Sequence, residues 1–272
     1  MGAALFSRFA DWTADADRIL GYSIQELCVD DPRGELGYTG FTQPALFVVN
    51  AMTYRARVED GRPAPDYAAG HSLGEYNALL AAGAFDFSTG LRMVQRRGQL
   101  MGRVHGGGMS AVIGLEPARI EAILGGSEAG QRLDVANFNS FEQTVIAGPK
   151  EDLSAVQQPL VDAGARAVMP LNVSAPFHSR YMRDAQDEFA GFLGGFEFRA
   201  PAFPVIANAT GAPYGADAVR DTLARQIGNS VRWLDSMSWL IDRGVTEFEE
   251  VGPGKVLAKL IAQIQKRKGK AD

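Results

Sequence analysis

The stretch Ala68–Tyr76, AAGHSLGEY, sets a serine between two glycines where a short run of small residues gives way to an apolar helical run. Two readings are open. A tight turn would use Gly and Ser for their backbone freedom alone. A nucleophile elbow would hold the Ser72 hydroxyl out at the carboxyl end of a sheet strand, with Gly70 and Gly74 leaving room where strand and helix pack closely. In that second case the Leu73 amide, at the helix start, points toward an oxygen bonded to Ser72, where it and the helix dipole stabilise a tetrahedral oxyanion.

A serine nucleophile needs a base, and the chain offers three histidines, His71, His105 and His178. His71 adjoins the serine and leaves the turn in another direction. His105 lies in VHGGGMS, which resembles an oxyanion loop of lipases, but that loop precedes the nucleophile in chain order and this one follows it. His178, in NVSAPFHSRYM between a strand and a helix, is the best candidate.

Outward from the elbow, residues 3–30 read as helix interrupted near Gly21, and 43–57 have apolar residues at helical spacing. DYAAG reads as a short strand, Leu73–Ala82 as a helix stopped by Gly83, and Phe87–Val104 as another with Asp86 or Ser88 near its start. The pattern then changes to strand, helix, strand, strand, helix, strand over 106–173, the order of a ferredoxin-like unit. After it come a helix in RYMRDAQDEFAGFLGGF, a strand in FPVIANAT, helices at 216–228 and 233–243, a strand in VTEFEEVG and a last helix from Lys255. Strand and helix alternate in the large part, which suggests a mostly parallel sheet covered on both faces. The expected organisation is a large α/β domain over 1–105 and 174–272 with an inserted small domain at 106–173.

The composition fits a soluble globular chain of 272 residues, 46% hydrophobic and 22% charged. A net charge of -5 gives no reason to expect nucleic acid, and the basic run Lys266–Lys270 reads as a solvated tail. No apolar stretch approaches membrane-spanning length, so no membrane is expected. Cys28 is the sole cysteine, which excludes an intramolecular disulfide, suits a buried small apolar residue and implies a reducing compartment, the cytoplasm. The sequons at Asn172 and Asn208 are then accidental. VGPGKVL lacks the spacing of a phosphate loop and reads as a strand-to-helix turn.

Five segments in order, GHSLGEYNALLAAGAFDF, LRMVQRRGQLM, VANFNSFEQTVIAG, APFHS and EFEEVGPGKVLAKL, resemble the malonyl-CoA:acyl carrier protein transacylases and the acyltransferases of polyketide synthases, particularly the free-standing type. The resemblance covers essentially the whole chain. It implies an α/β-hydrolase-like large domain with a ferredoxin-like insertion, malonyl-CoA as substrate and an acyl carrier protein as partner. The phosphopantetheine is carried by that partner, and no bound cofactor or metal is expected; the chain is expected to be a monomer.

The resemblance also implies roles at matching positions. Ser72 would be acylated and His178 would be its base, in a dyad whose imidazole is oriented by the backbone carbonyl of Gln226, in RQIGNSVRW, in place of a carboxylate. Arg97 matches the family's carboxylate-binding arginine. Independently, a buried planar guanidinium can hold a malonyl carboxylate through two charge-assisted hydrogen bonds, while Arg96 points elsewhere around the helix and should be solvated. Phe177 matches the bulky aromatic associated with malonyl rather than methylmalonyl units, although one methyl group is worth only about 1–3 kcal/mol of discrimination. Family members usually begin with a strand ending in a Gly-Gln-Gly-Ser-Gln turn whose first glutamine amide is the second oxyanion donor. MGAALFSRFADW matches the helix after that turn, so a sheet strand and one oxyanion donor are expected to be absent. Two other readings stand beside acyl transfer: an acyl hydrolase on the same scaffold, and a catalytically impaired carrier-protein-binding module.

Overall fold

Gly21, in the left-handed region at φ +82°, ends the first helical stretch, as its lack of a Cβ allows. Before the turn lie α1 (Ala3–Arg8) and α2 (Ala10–Leu20), and beyond it α3 (Ile24–Val29), whose Ser23 cap accepts from the Glu26 amide. In the computed structural model, which describes residues 1–215 and 217–269, α4 (Thr39–Glu59) follows, then β1 (Ala68–Ala69), α5 (Gly74–Ala81) and α6 (Phe87–Gly102). Asp86 caps α6 by accepting from the Thr89 amide at 2.8 Å. α4 and α6 cross closely because Gly98 has no side chain: a Cβ there would lie 3.1 Å from the Thr39 carbonyl and 3.2 Å from the Gly40 Cα. Phe6, Phe47, Met52 and Leu91 fill the core between these helices.

The inserted pattern folds as β2 (Gly108–Ile113), α7 (Pro117–Gly125), α8 (Glu128–Gln131), β3 (Asp134–Ser140), β4 (Gln143–Gly148), α9 (Lys150–Asp162) and β5 (Ala167–Pro170). The four strands form one antiparallel sheet in the order β3-β4-β2-β5, the ferredoxin-like order. Alternation gives it two faces: Val112 and Ile146 pack with Ile120, Val156 and Leu160 of the helices, while Met109, Ala111 and Val145 face the other way and meet Phe177. Then come α10 (Arg183–Leu193), β6 (Val205–Ala207), β7 (Ala212–Pro213), α11 (Val219–Arg225), α12 (Trp233–Ile241) and α13 (Val256–Lys268).

The α/β class is observed, but the parallel sheet is smaller than expected. β1 pairs with β6 in parallel over two residues, and β6 pairs with β7 antiparallel. The segment expected as a strand, residues 245–252, is irregular. An extended chain becomes a strand only when a neighbour pairs with its amides. Here a groove of about 2130 Å³ has both Tyr67–Gly70, on the outer edge of β1, and Val245–Gly252 among its walls. Side chains hold the segment instead: Arg57 pairs with Glu249 at 3.0 Å, and Gln265 donates to the Thr246 carbonyl at 3.0 Å.

The basic run also differs from a free tail, since α13 extends through Lys268 and brings Arg267 to Glu116 at 2.9 Å and Lys268 to Asp242. Lys270, and Ala216 where a helix was expected to begin, lie outside the described residues. Cys28 is buried and unbridged. No helix among the described residues is long and apolar enough to cross a membrane.

Candidate active site

β1 ends at Ala69, and the chain then turns so sharply that a Cβ on Gly70 would lie 1.9 Å from the Gly74 carbonyl carbon, so only glycine can stand there. Gly74 carries no such constraint, since a Cβ on it would meet nothing within 4 Å. Between them Ser72 is in the left-handed region at φ +51°. His178, at φ +57°, is another of the few non-glycine residues among those described that share this conformation. Such backbone persists where the surroundings over-determine it, which is common at reactive sites.

Asn208, just beyond β6, supplies part of that determination. Its Oδ1 accepts from the Ser72 amide at 2.6 Å and its Nδ2 donates to the Gly70 carbonyl at 2.7 Å, so one side-chain amide clamps both sides of the elbow. The Ser72 amide is thereby occupied. The Leu73 amide makes no hydrogen bond among the described residues and stands at the head of α5 beside the hydroxyl.

The hydroxyl has two partners. Ser72 Oγ lies 2.8 Å from His178 Nε2 and accepts from an Arg97 terminal nitrogen at 3.0 Å. His178 Nδ1 donates to the Gln226 carbonyl at 3.0 Å, which leaves Nε2 as the acceptor for the serine proton. The imidazole is buried, and burial together with the nearby Arg97 charge pushes its pKa down to about 3. It is therefore neutral near pH 7, with Nε2 able to accept a proton.

Arg97 is 1% exposed and forms no ion pair among the described residues. Neutral groups hold it: the Gln226 side-chain oxygen accepts from Nε at 3.2 Å and from a terminal nitrogen at 2.9 Å, Gln43 Oε1 accepts from the other at 2.5 Å, and the Tyr76 ring lies 5.5 Å away. Gln43 reaches this position because α4 approaches α6 at Gly98, next to Arg97. Burial depresses the guanidinium pKa, but from a starting point so high that the charge remains.

The structure thus gathers Ser72, His178, Arg97, Gln226 and the Leu73 amide. Phe177 is half-buried between the main core and the free face of the small sheet. Arg96, expected to be solvated, pairs with Glu188 at the surface. His71 points away from the serine hydroxyl, with Nε2 2.8 Å from Asn139 Oδ1 and its ring against Trp233, and His105 is exposed. A cleft of about 550 Å³ has His178, Arg180, Asp134, Asn229 and Arg232 among its walls.

Gln43, Glu75, Asn208 and Tyr214 were not singled out from the sequence. Glu75 was visible as an acid in the first turn of a helix, where the dipole alone accounts for it. Asn208 was visible only as a sequon.

Residues 1–268 match the acyl transferase domain. The chain is 50% identical over 268 residues to the polyketide biosynthesis malonyl CoA-acyl carrier protein transacylase BaeC of Bacillus velezensis, covering 97% of this chain and 92% of that protein. It is also 50% identical over 271 residues to the polyketide biosynthesis protein ThaF of Burkholderia thailandensis, but there the match covers 100% of this chain and 23% of that longer protein. It spans 35% of the polyketide biosynthesis protein PksE of Bacillus subtilis. A crystal structure of a malonyl CoA-acyl carrier protein transacylase from Burkholderia pseudomallei superposes with a TM-score of 0.93 at 47% identity, covering 98% of this chain and 93% of that one.

Proposed function

This chain belongs to the acyl transferase domain family, and from that premise we propose that it moves a malonyl group from malonyl-CoA to the phosphopantetheine thiol of an acyl carrier protein, in polyketide or fatty acid synthesis. One observation carries the reading: a single serine oxygen lies 2.8 Å from a neutral imidazole and 3.0 Å from a buried guanidinium with which no carboxylate among the described residues pairs directly. A hydrolase of neutral acyl chains has no use for that charge, whereas a malonyl group ends in the anion that fits it.

Ser72 Oγ attacks the thioester carbonyl while its proton passes to His178 Nε2. The carbonyl oxygen becomes an oxyanion, to which the Leu73 amide donates. When the carbon–sulfur bond breaks, the imidazolium returns its proton to the departing CoA sulfur. In the second half the carrier thiol gives its proton to His178 and its sulfur attacks the malonyl ester; the proton then returns to Ser72 Oγ as that ester breaks. The Gln226 carbonyl holds the imidazole in place through both halves. Arg97 opposes protonation of His178, and a substrate carboxylate bound to the guanidinium offsets that repulsion just when the imidazolium forms. Malonyl transfer is therefore favoured over acetyl transfer in the chemical step as well as in binding.

In this reading Phe177 borders the acyl group, residues 106–173 form the small domain, and 1–105 with 174–272 form the catalytic domain. The enzyme works as a cytoplasmic monomer with no bound cofactor, because the pantetheine arm arrives on the partner.

The test is intact mass after exposure to malonyl-CoA and then to pantetheinylated carrier protein. A malonyl adduct on Ser72 that moves to the carrier is expected. Free malonate without transfer would make the chain a hydrolase, and no adduct would leave only binding. Arg97→Ala should cut malonyl loading by about 100-fold or more, as expected for losing a buried charge-assisted contact, and acetyl loading far less.

A further inference from the structure

Beneath the elbow lies a buried carboxyl that no step above uses. Glu75, in the first turn of α5, is 0% exposed. Its Oε1 accepts from the Asn208 main-chain amide at 3.1 Å and from the Tyr214 hydroxyl, and its Oε2 accepts from Gln226 Nε2 at 2.6 Å. Gln226 Nε2 donates as well to the Ser72 carbonyl at 2.7 Å.

A glutamine amide can be seated either way round, and its neighbours decide which. Two acceptors on one side, Glu75 Oε2 and the Ser72 carbonyl, require the NH2 group there. The amide oxygen is left facing Arg97, from which it accepts twice. Turned about, the NH2 would oppose the guanidinium, donor against donor, between two side chains that are both buried.

We propose that Glu75 is a positioning residue for carboxylate selection: by fixing the Gln226 amide it keeps the Arg97 guanidinium beside Ser72 Oγ, ready for an anionic acyl group. The inference rests on the malonyl reading above. Interposing a neutral amide has a further consequence. Glu75 balances the buried cation through Gln226 without occupying its donors, so an incoming carboxylate displaces amide oxygens rather than a protein carboxylate. The arrangement works in either protonation state, because a proton on Oε1 can be donated to the Tyr214 oxygen while Oε2 still accepts from Gln226. The main-chain carbonyl that orients His178 does not depend on how the side-chain amide is turned, so acetyl loading reports on the dyad separately.

The experiment compares initial rates of Ser72 loading from malonyl-CoA and from acetyl-CoA in wild type, E75Q, Y214F, R97A and the E75Q/R97A double variant. E75Q keeps the shape, but its NH2 group must oppose either the Asn208 main-chain amide or Gln226 Nε2, neither of which it can accept from, and the variant is expected to lower the malonyl-to-acetyl ratio by about tenfold, the usual scale for an unsatisfied buried partner. Y214F should shift the ratio in the same direction by less. In the R97A background E75Q should leave the ratio unchanged, since the effect is routed through the guanidinium. Equal losses for both acyl groups, or a ratio change that persists without Arg97, would overturn the assignment. If E75Q fails to fold, as judged by its melting transition, Y214F decides, and an unchanged ratio there overturns it too. Failure of the wild type to load malonyl at all is a different result, and it sinks the transfer reading itself.

Discussion

In the proposed mechanism Ser72 depends on an imidazole that stays neutral, and the reason is local. Burial and the Arg97 charge both disfavour the imidazolium, so the His178 pKa falls to about 3 against an ordinary value of 6.5. The sign follows directly: the contribution to stability is present above the unfolded value of 6.5 and is lost as pH falls through about 3. The ring resonances of His178, assigned by comparison with H178A, should therefore not titrate between about pH 5 and 7.5. A His178 midpoint near that of a free imidazole would mean that the ring is solvated and the proposed base is not held as described.

At the scale of elements, the elbow is a junction of three parts: β1, the head of α5, and the end of β6 that delivers Asn208. Its geometry tolerates no side chain at Gly70, where a Cβ would overlap the Gly74 carbonyl carbon at 1.9 Å. Gly70→Ala should destabilise the fold by about 3 kcal/mol or more, the upper end of overpacking costs, because backbone rather than a flexible side chain blocks the space. Gly74→Ala, which meets nothing, should cost well under 1 kcal/mol at this site just inside a helix. Thermal melts of the two variants check this, and similar losses would refute the close approach. The glycine spacing around Ser72 announced the elbow, but it did not distinguish the glycine that is sterically required from the one that is not. That difference comes from where β1 and α5 meet. Likewise 245–252 has the β-branched and aromatic residues of a strand, yet strand formation needs a partner that the segment itself cannot specify.

For the molecule as a whole, the small sheet joins the larger body along β3. The Phe138 amide donates to the Val231 carbonyl at 2.9 Å, the Val231 amide donates to the Ala136 carbonyl at 2.8 Å, and α12 and α13 pack behind. Arg180 adds a fork to Asp134 across the cleft beside His178, but both groups are partly open to water. Arg180→Ala should therefore cost less than about 1 kcal/mol, the usual limit for an exposed pair, and the loss should shrink further at high salt. A larger, salt-independent loss would show that the arginine holds the two parts together.

Local pattern alone determined the helices, the strand order of the insertion, the elbow serine and, by elimination among three histidines, its candidate base; these follow from hydrophobic period, glycine placement and residue chemistry, all of which are local. Resemblance supplied Arg97 and Gln226 as candidates. Only the tertiary structure decided that Gln43 and Gln226 hold the guanidinium, that Asn208 clamps the elbow and that Glu75 seats Gln226. Those contacts join residues as much as 151 positions apart, and a hydrogen bond between two polar side chains leaves no periodic trace in the chain that encodes it.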